Sequence, residues 1–176
     1  MSGGAHDSPA PSDWVVRWAD RVPAGGRVLD IACGKGRNAR LFAARGHPVE
    51  AVDRDPAALS SLRNVANVTA RCADLEQGPW PFEDQRFAGV VVTRYLWRPL
   101  FPGILAAIAP GGVLIYETFE LGNERYGRPS NPEFLLRPGE LLEVVRGRLR
   151  VLAYEDLFEP GPRPAMVQRI CAVNST

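Results

Sequence analysis

Short apolar runs recur along the first two thirds of the chain, and stretches with helical periodicity lie between most of them. The runs read RVLDIA at 27–32, PVEAVD at 48–53, VTARCAD at 68–74, FAGVVVTR at 87–94 and GGVLIYETF at 111–119. The helical stretches lie at 36–46, 55–66 and 99–109. Strands that alternate with helices at this spacing predict a parallel sheet with right-handed crossovers.

Cap and breaker residues mark where the predicted helices begin and end. Ser12 is a suitable N-cap for a short first helix, on which Trp14 and Trp18 share one face. Asp55 is a suitable N-cap for the helix at 55–66, and a proline follows it. The Pro102–Gly103 pair predicts an interruption of the helix at 99–109.

The last third of the chain lacks the regular alternation of strands and helices. Residues 120–138 are polar and rich in Gly, Pro and Asn, and a loop of this length in a compact domain is more often functional than incidental. A helix at 139–147 follows, and then two strands, LRVLAYEDLF and AMVQRICAV, joined by EPGPRP. The short joint predicts an antiparallel hairpin at a sheet edge. The fold class is therefore α/β, a Rossmann-like, doubly wound, mostly parallel seven-stranded sheet with a C-terminal antiparallel hairpin.

Composition narrows the classes of function. The chain has 176 residues, which predicts a flexible leader at 1–11 and a single domain at 12–176. A net charge of +1 gives no strong attraction to nucleic acid or membranes. Three widely spaced cysteines and no secretory signal predict a cytoplasmic protein. With only two histidines in the chain, we expect neither a metal site nor a Ser-His-Asp triad.

The stretch VLDIACGKGRNA at 28–39 has three competing interpretations. A phosphate-binding P-loop fails, because Leu29 and Gly36 stand where that motif needs glycine and Ser or Thr. A dinucleotide loop fits the glycines but places the Asp30 carboxylate beside a pyrophosphate, whereas the same charge suits the sulfonium and ammonium groups of S-adenosylmethionine. The third interpretation is a glycine-rich turn without a ligand.

Acidic residues end three successive predicted strands, at Asp30, Asp53 and Asp74. Each of them alone is also compatible with a turn or a helix cap. Their common position favours a binding edge, since ligands of open α/β sheets bind at the carboxyl ends of the strands.

With these motifs, and with APGGVLIYETF at 109–119, the sequence resembles the class I S-adenosylmethionine-dependent methyltransferases over residues 27–119. Within them it is most similar to the small tellurite-resistance-type and small-molecule methyltransferases. The resemblance implies S-adenosyl-L-methionine as cofactor and S-adenosyl-L-homocysteine as product. The implied cofactor residues are Asp30, Ala32, Cys33, Gly34 and Gly36 for the methionine part, Asp53 for the ribose, Arg54, Asp74 and Leu75 for the adenine, and Thr93 and Arg94 near the methyl group. Two positions depart from the family pattern, because Ala32 replaces the first glycine and Ala88 replaces an aspartate before the fourth strand.

Methyl transfer needs chiefly an in-line approach of the acceptor, and a general base only when the acceptor carries a proton. No single residue stands out as a catalyst, so the candidates are the polar side chains after the fourth and fifth strands and in the long loop: Arg94, Tyr95, Arg98, Glu117 and Tyr126. For Tyr95, Leu96 and Trp97, a packed cap over the helix that follows is the favoured interpretation. The long loop, at 118–138, is expected to form a lid on the acceptor side.

The expected acceptor is a small molecule. The stretch TRYL at 93–96 lacks the motif of amine methylation on nucleic acid bases, and the near-neutral charge disfavours a large phosphate footprint. The alternatives are an RNA or protein methyltransferase and a cofactor-binding partner subunit without catalysis. We expect no association with membranes and a monomer or homodimer.

Overall fold

The computed structural model describes residues 10–176, and the leader predicted at 1–11 lies almost wholly outside them. Five helices are formed: α1 Asp13–Trp18, α2 Arg37–Ala44, α3 Pro56–Leu59, α4 Phe101–Ala106 and α5 Glu140–Val145. Seven strands are formed: β1 Val28–Ile31, β2 Val49–Asp53, β3 Val68–Cys72, β4 Phe87–Thr93, β5 Ile108–Phe119, β6 Arg150–Glu159 and β7 Ala165–Val173.

All seven strands join one sheet in the order β3-β2-β1-β4-β5-β7-β6. The first five pair in parallel, while β7 is antiparallel to both β5 and β6. The predicted fold class is therefore confirmed. The terminal hairpin does not simply extend the sheet, because its second strand inserts next to β5 and its first strand forms the edge.

Successive side chains of a strand point to opposite faces of the sheet, and both faces are apolar. Leu29 of β1 belongs to one core cluster together with residues of α4 and α5, whereas Val28 belongs to the other together with residues of α1, α2 and α3. Since neighbouring strand residues point to opposite faces, the continuous apolar runs of the central strands are buried on both sides. This burial fixes the positions of the strand ends.

Two sequence predictions are corrected. The helix expected over 55–66 ends at Leu59 and continues only as a 3₁₀ turn, Ser60–Leu62. The interruption expected at Pro102–Gly103 was wrong, because α4 begins at Phe101 and the proline occupies its first turn, where no amide donor is needed. The segment 120–138 contains 3₁₀ turns at Asn123–Arg125 and Pro132–Phe134.

Residues 110–112 lie within β5, where its register with β4 shifts, and they generate a prediction of stability. A Cβ atom on Gly112 would lie 2.8 Å from the backbone oxygens of both Ala109 and Phe87, and backbone at these positions has no freedom to move away. We expect Gly112→Ala to lower the free energy of unfolding by about 1–3 kcal/mol in urea denaturation. Gly161→Ala is the matched control, because its Cβ would meet nothing within 4 Å. Equal effects of the two substitutions would contradict the prediction.

Candidate functional site

The parallel sheet brings the predicted site residues to its carboxyl edge. Asp53 ends β2, Asp30 lies one residue before the end of β1, and Asp74 follows β3 after one intervening residue. Thr93 ends β4. The order β3-β2-β1-β4 therefore lines up the residues expected for adenine, ribose, methionine and methyl group along one edge.

The glycine loop between β1 and α2 is built from left-handed backbone. Ala32, Gly34 and Gly36 have φ angles of 52°, 56° and 78°. A Cβ atom on Gly34 would meet nothing within 4 Å, whereas one on Gly36 would lie 2.4 Å from the side chain of Leu62. Gly34 thus faces open space and Gly36 is required by packing. Ala32 is small enough to replace the usual glycine, but it adopts a backbone conformation that costs an L-residue about 1–2 kcal/mol.

Asp30 is a buried carboxyl group with an unsatisfied oxygen. It is 1% exposed, and its Oδ2 atom has no hydrogen-bond partner. Burial raises the pKa of Asp30 to about 7, although the Ala39 amide and the Arg37 guanidinium oppose this shift. A buried carboxylate needs a cation or donors to compensate for lost hydration. The site therefore fits the cationic methionine end of S-adenosylmethionine, since a bound cation favours the ionised form of Asp30.

Asp53 and Asp74 both shape the backbone and present carboxylate oxygens at the edge. Asp53 accepts from the Gly34 amide at 2.8 Å and from the Asp55 amide at 2.9 Å. Asp74 Oδ1 accepts from the amides of Glu76 and Gln77 at 2.9 and 3.1 Å. A carboxylate has about four acceptor positions, so these turn contacts leave capacity for ligand hydroxyl and amino groups. The turn interpretation and the ligand interpretation are compatible at both positions.

A cavity of about 800 Å³ lies beside the ends of β4 and β5. Its walls are formed by residues 10–14, by the start of α2, by the carboxyl ends of β4 and β5, by the long loop and by the β6–β7 hairpin. The lining residues are Ala10, Pro11, Ser12, Asp13, Trp14, Arg37, Arg94, Glu117, Thr118, Phe119, Asn123, Gly127, Glu159, Gly161, Pro162, Arg163, Pro164, Ala165, Val167 and Arg169. Arg94 has a left-handed φ of 54°, which is uncommon for such a residue and typical of strained functional positions.

Glu117 is the second catalytic candidate in this cavity, and both of its carboxylate oxygens are engaged. Oε1 accepts from the Ser12 hydroxyl and Oε2 accepts from Arg169 Nε at 2.8 Å. The other Arg169 nitrogens donate to Glu155 at 3.1 Å and to Glu159 at 2.5 Å. Sequence reasoning missed Arg169, because its partners become its neighbours only through the antiparallel register of β5, β7 and β6.

The remaining three candidates do not line the cavity. Arg98 forms a two-pronged ion pair with Glu140 at 2.7 and 2.9 Å and donates to the carbonyl groups of Glu133 and Leu135. It therefore anchors the long loop. Tyr126 stacks against the exposed Phe158 ring, with the ring centroids 4.9 Å apart.

Tyr95 lies near Glu76, Asp74 and Arg54 and not in the cavity lining. Burial raises the pKa of its phenol, and Glu76, Asp74 and Arg54 are the charged groups that act on it. Leu96 beside it is buried and Trp97 packs against the same core, as the apolar-cap interpretation expects.

Metal and membrane features were searched within residues 10–176. No group of three His, Cys, Asp or Glu side chains in that part of the chain is arranged to hold a metal ion. No helix among these residues has the length and apolar character needed to cross a bilayer.

Known proteins with similar sequences contain methyltransferase domains. A family model described as a methyltransferase domain matches residues 28–112. Protein-L-isoaspartate O-methyltransferase of Chlorobaculum tepidum is 31% identical over 111 residues, which cover 60% of this chain and 50% of that protein. Trans-aconitate 2-methyltransferase of Methylobacterium nodulans is 35% identical over 105 residues, which cover 53% and 39%. The chain thus spans half or less of the length of these two relatives.

Solved structures share the whole architecture. TehB from Haemophilus influenzae has a TM-score of 0.79 at 17% identity, covering 96% of this chain and 64% of that one. A TehB-like S-adenosylmethionine-dependent methyltransferase from Corynebacterium glutamicum has a TM-score of 0.68 at 19% identity, covering 97% and 90%. These likenesses show the fold. Taken with the family model over residues 28–112, the sheet order and the glycine loop, they support a class I S-adenosylmethionine-dependent methyltransferase.

Proposed function

We propose that this protein transfers the methyl group of S-adenosylmethionine to a small-molecule acceptor bound in the cavity beside β4 and β5. The observation that carries the proposal is the buried Asp30 carboxyl group with an unsatisfied oxygen, which lies just before a glycine loop that is open at Gly34. The name of the relative from Methylobacterium nodulans, trans-aconitate 2-methyltransferase, specifies a small-molecule acceptor, whereas the name of the relative from Chlorobaculum tepidum specifies a protein acceptor.

The residues that would hold the cofactor are those of the carboxyl edge. Asp30 and the backbone of the glycine loop would take the methionine part, Asp53 the ribose hydroxyls, and Asp74 with the Leu75 amide the adenine. When bound, S-adenosylmethionine supplies a methyl group on a sulfonium that is already an activated leaving group. The contribution of the protein is then to hold the acceptor in line with that methyl group.

The side chains around the cavity favour an acceptor that arrives deprotonated. Among its lining residues there is no His, Cys, Lys or Tyr. Of the three acidic residues that line the cavity, Glu117 and Glu159 are both bound to Arg169 and are not well placed to remove a proton, while Asp13 is an exposed residue at the start of α1. Arg94 and Arg163 also line the cavity, and arginine suits an anionic acceptor. An acceptor that is an anion near pH 7 needs no general base.

The proposed cytoplasmic location has separate support. Cys33, Cys72 and Cys171 are all free thiols, as expected in a reducing compartment. The monomeric or homodimeric state stays a prediction.

Calorimetry with S-adenosylmethionine, S-adenosylhomocysteine and NAD tests the cofactor assignment. We expect micromolar binding of the first two and no binding of NAD, because the Asp30 carboxylate favours a cation and opposes a pyrophosphate. A methylation screen with trans-aconitate, a thiol, tellurite and total RNA then tests the acceptor class. NAD binding alone would overturn the cofactor assignment, and salt-sensitive labelling of RNA would favour the nucleic acid alternative.

Asp30→Asn is expected to weaken cofactor binding and to stabilise the cofactor-free protein. Because the pKa is raised from 3.8 to about 7 by folding, Asp30 destabilises the wild type progressively as the pH rises between these values. At pH 8 the variant should have the higher melting temperature, and the difference should disappear toward pH 4. Its affinity for S-adenosylmethionine at pH 8 should fall by about tenfold or more, because a charge-assisted contact is lost.

The outcome is checked by calorimetry and thermal denaturation at both pH values. Asp55→Asn is the matched control, since it makes the same change at an exposed helix cap. Unchanged cofactor affinity of Asp30→Asn at pH 8 would remove Asp30 from the proposed site.

The segment 118–138 is proposed as the acceptor-side wall. Its ends are fixed, because Gln168 donates to Glu120 at 2.6 Å and accepts from the Leu141 amide at 2.7 Å. Asn123 and Gly127 line the cavity, while residues 124–128 are exposed. The segment is therefore an anchored arm with a solvent-facing tip.

Replacing residues 124–128 by a Gly/Ser sequence should impair methyl transfer and leave cofactor binding intact. We expect the dissociation constant of S-adenosylhomocysteine to stay within about twofold, because none of the proposed cofactor residues is in this segment. Turnover of whichever member of the acceptor panel is methylated should fall. Loss of both properties would show that the segment is a structural element and not an acceptor wall.

A further inference from the structure

Ser12 makes more contacts than a helix cap requires. Its hydroxyl oxygen accepts from the Val15 amide at 3.3 Å, which is the capping contact of α1. The same hydroxyl donates to Glu117, and the Ser12 amide donates to Asn38 Oδ1 at 3.0 Å. Ser12 is 5% exposed. The two additional bonds join α1 to β5 and to α2, elements far from it in sequence.

The chain of hydrogen bonds continues in both directions from Ser12. Asn38, in the first turn of α2 directly after the glycine loop, donates to Thr93 Oγ1 at 3.0 Å. On the other side, Glu117 accepts from Arg169, which also donates to Glu159. The chain thus runs from the end of β4, through the start of the cofactor-loop helix, to the β6–β7 hairpin. It connects the elements that form the cavity walls.

Apolar packing already attaches α1 to the sheet. Trp14 and Val15 are buried, and the Trp14 indole donates to the Ile170 carbonyl at 3.2 Å. The polar chain is therefore not needed merely to dock this helix. Hydrogen bonds depend on direction, so the two bonds of Ser12 fix the position of residues 10–14 at the cavity more closely than apolar packing does. Breaking either bond leaves a buried polar group unsatisfied.

We propose that Ser12 is a positioning residue of the acceptor site. It holds residues 10–14 as one wall of the cavity and, through Asn38, couples that wall to the loop that holds the cofactor. This inference rests on the proposed function, which makes the cavity the acceptor site. Cofactor binding that orders the glycine loop and the start of α2 then also orders α1, so the acceptor wall forms fully only on the cofactor-bound protein.

Two substitutions at Ser12 separate positioning from capping. Ser12→Thr keeps the hydroxyl and both roles. Ser12→Asp keeps a good N-cap but places a second carboxylate against Glu117, so the tie to β5 breaks while the cap remains. Asn38→Leu removes the link to the cofactor loop at nearly constant size. Asn131→Asp is the matched control, because it adds the same charge at another N-cap, distant in sequence from Ser12.

Hydrogen–deuterium exchange of the peptide covering residues 13–18, with and without S-adenosylhomocysteine, measures the effect. In the wild type and in Ser12→Thr, we expect the ligand to slow exchange in α1 by about tenfold. Without ligand, Ser12→Asp should exchange in α1 about tenfold faster than the wild type. In Ser12→Asp and Asn38→Leu the ligand should no longer slow exchange in α1, and calorimetry should still show binding within about threefold of the wild type. Asn131→Asp should behave as the wild type.

The outcomes separate the two proposals. Exchange in α1 that is the same in Ser12→Asp as in the wild type would overturn the positioning role. Ligand protection of α1 that persists in both Ser12→Asp and Asn38→Leu would overturn the coupling. If the wild type itself does not bind S-adenosylhomocysteine, the proposed function fails. The comparison of α1 exchange between ligand-free Ser12→Asp and ligand-free wild type still tests whether Ser12 fixes residues 10–14.

Discussion

The parallel pairing of β1 between β2 and β4 is the constraint on which the rest of the molecule depends. Its register places Asp30 opposite Ala51 on one side and Val91 on the other, with every residue of β1 buried. Once this register is fixed, the carboxyl ends of the neighbouring strands must meet along one edge. A slip by one residue would turn the Asp30 side chain to the other face of the sheet.

The site stores unfavourable energy that the surrounding core offsets. Ala32 and Arg94 hold left-handed backbone conformations, and Asp30 carries a buried oxygen without a partner. Two of the three non-glycine residues with positive φ among the described residues are therefore at the proposed site. Strain of this kind persists only where packed elements impose it, and here the two residues follow β1, which is wholly buried, and β4, which is mostly buried. Because the strain is local to the loops, ligand contacts are able to relieve it.

The charged groups of the proposed acceptor cavity are arranged differently from those of the proposed cofactor edge. On the cofactor edge, single acids act with backbone amides that belong to nearby residues in sequence. In the cavity, Arg169 is surrounded by carboxylates from β5 and β6. One of them, Glu117, also accepts a hydrogen bond from the Ser12 hydroxyl. This network engages both carboxylate oxygens of Glu117 and ties three strands of the cavity wall together.

The sequence by itself determined the strands, most of the helices, the glycine loop and the three acids at strand ends. These features depend on apolar periodicity and on residues close together in the chain, such as Asp53 with Asp55 or Asp74 with Glu76. Only the tertiary structure decided which candidates meet. Ser12 and Glu117 are 105 residues apart, and Arg98 finds Glu140 across 42 residues. No local pattern encodes such pairs, because they arise when the sheet register and the helix packing bring distant side chains together.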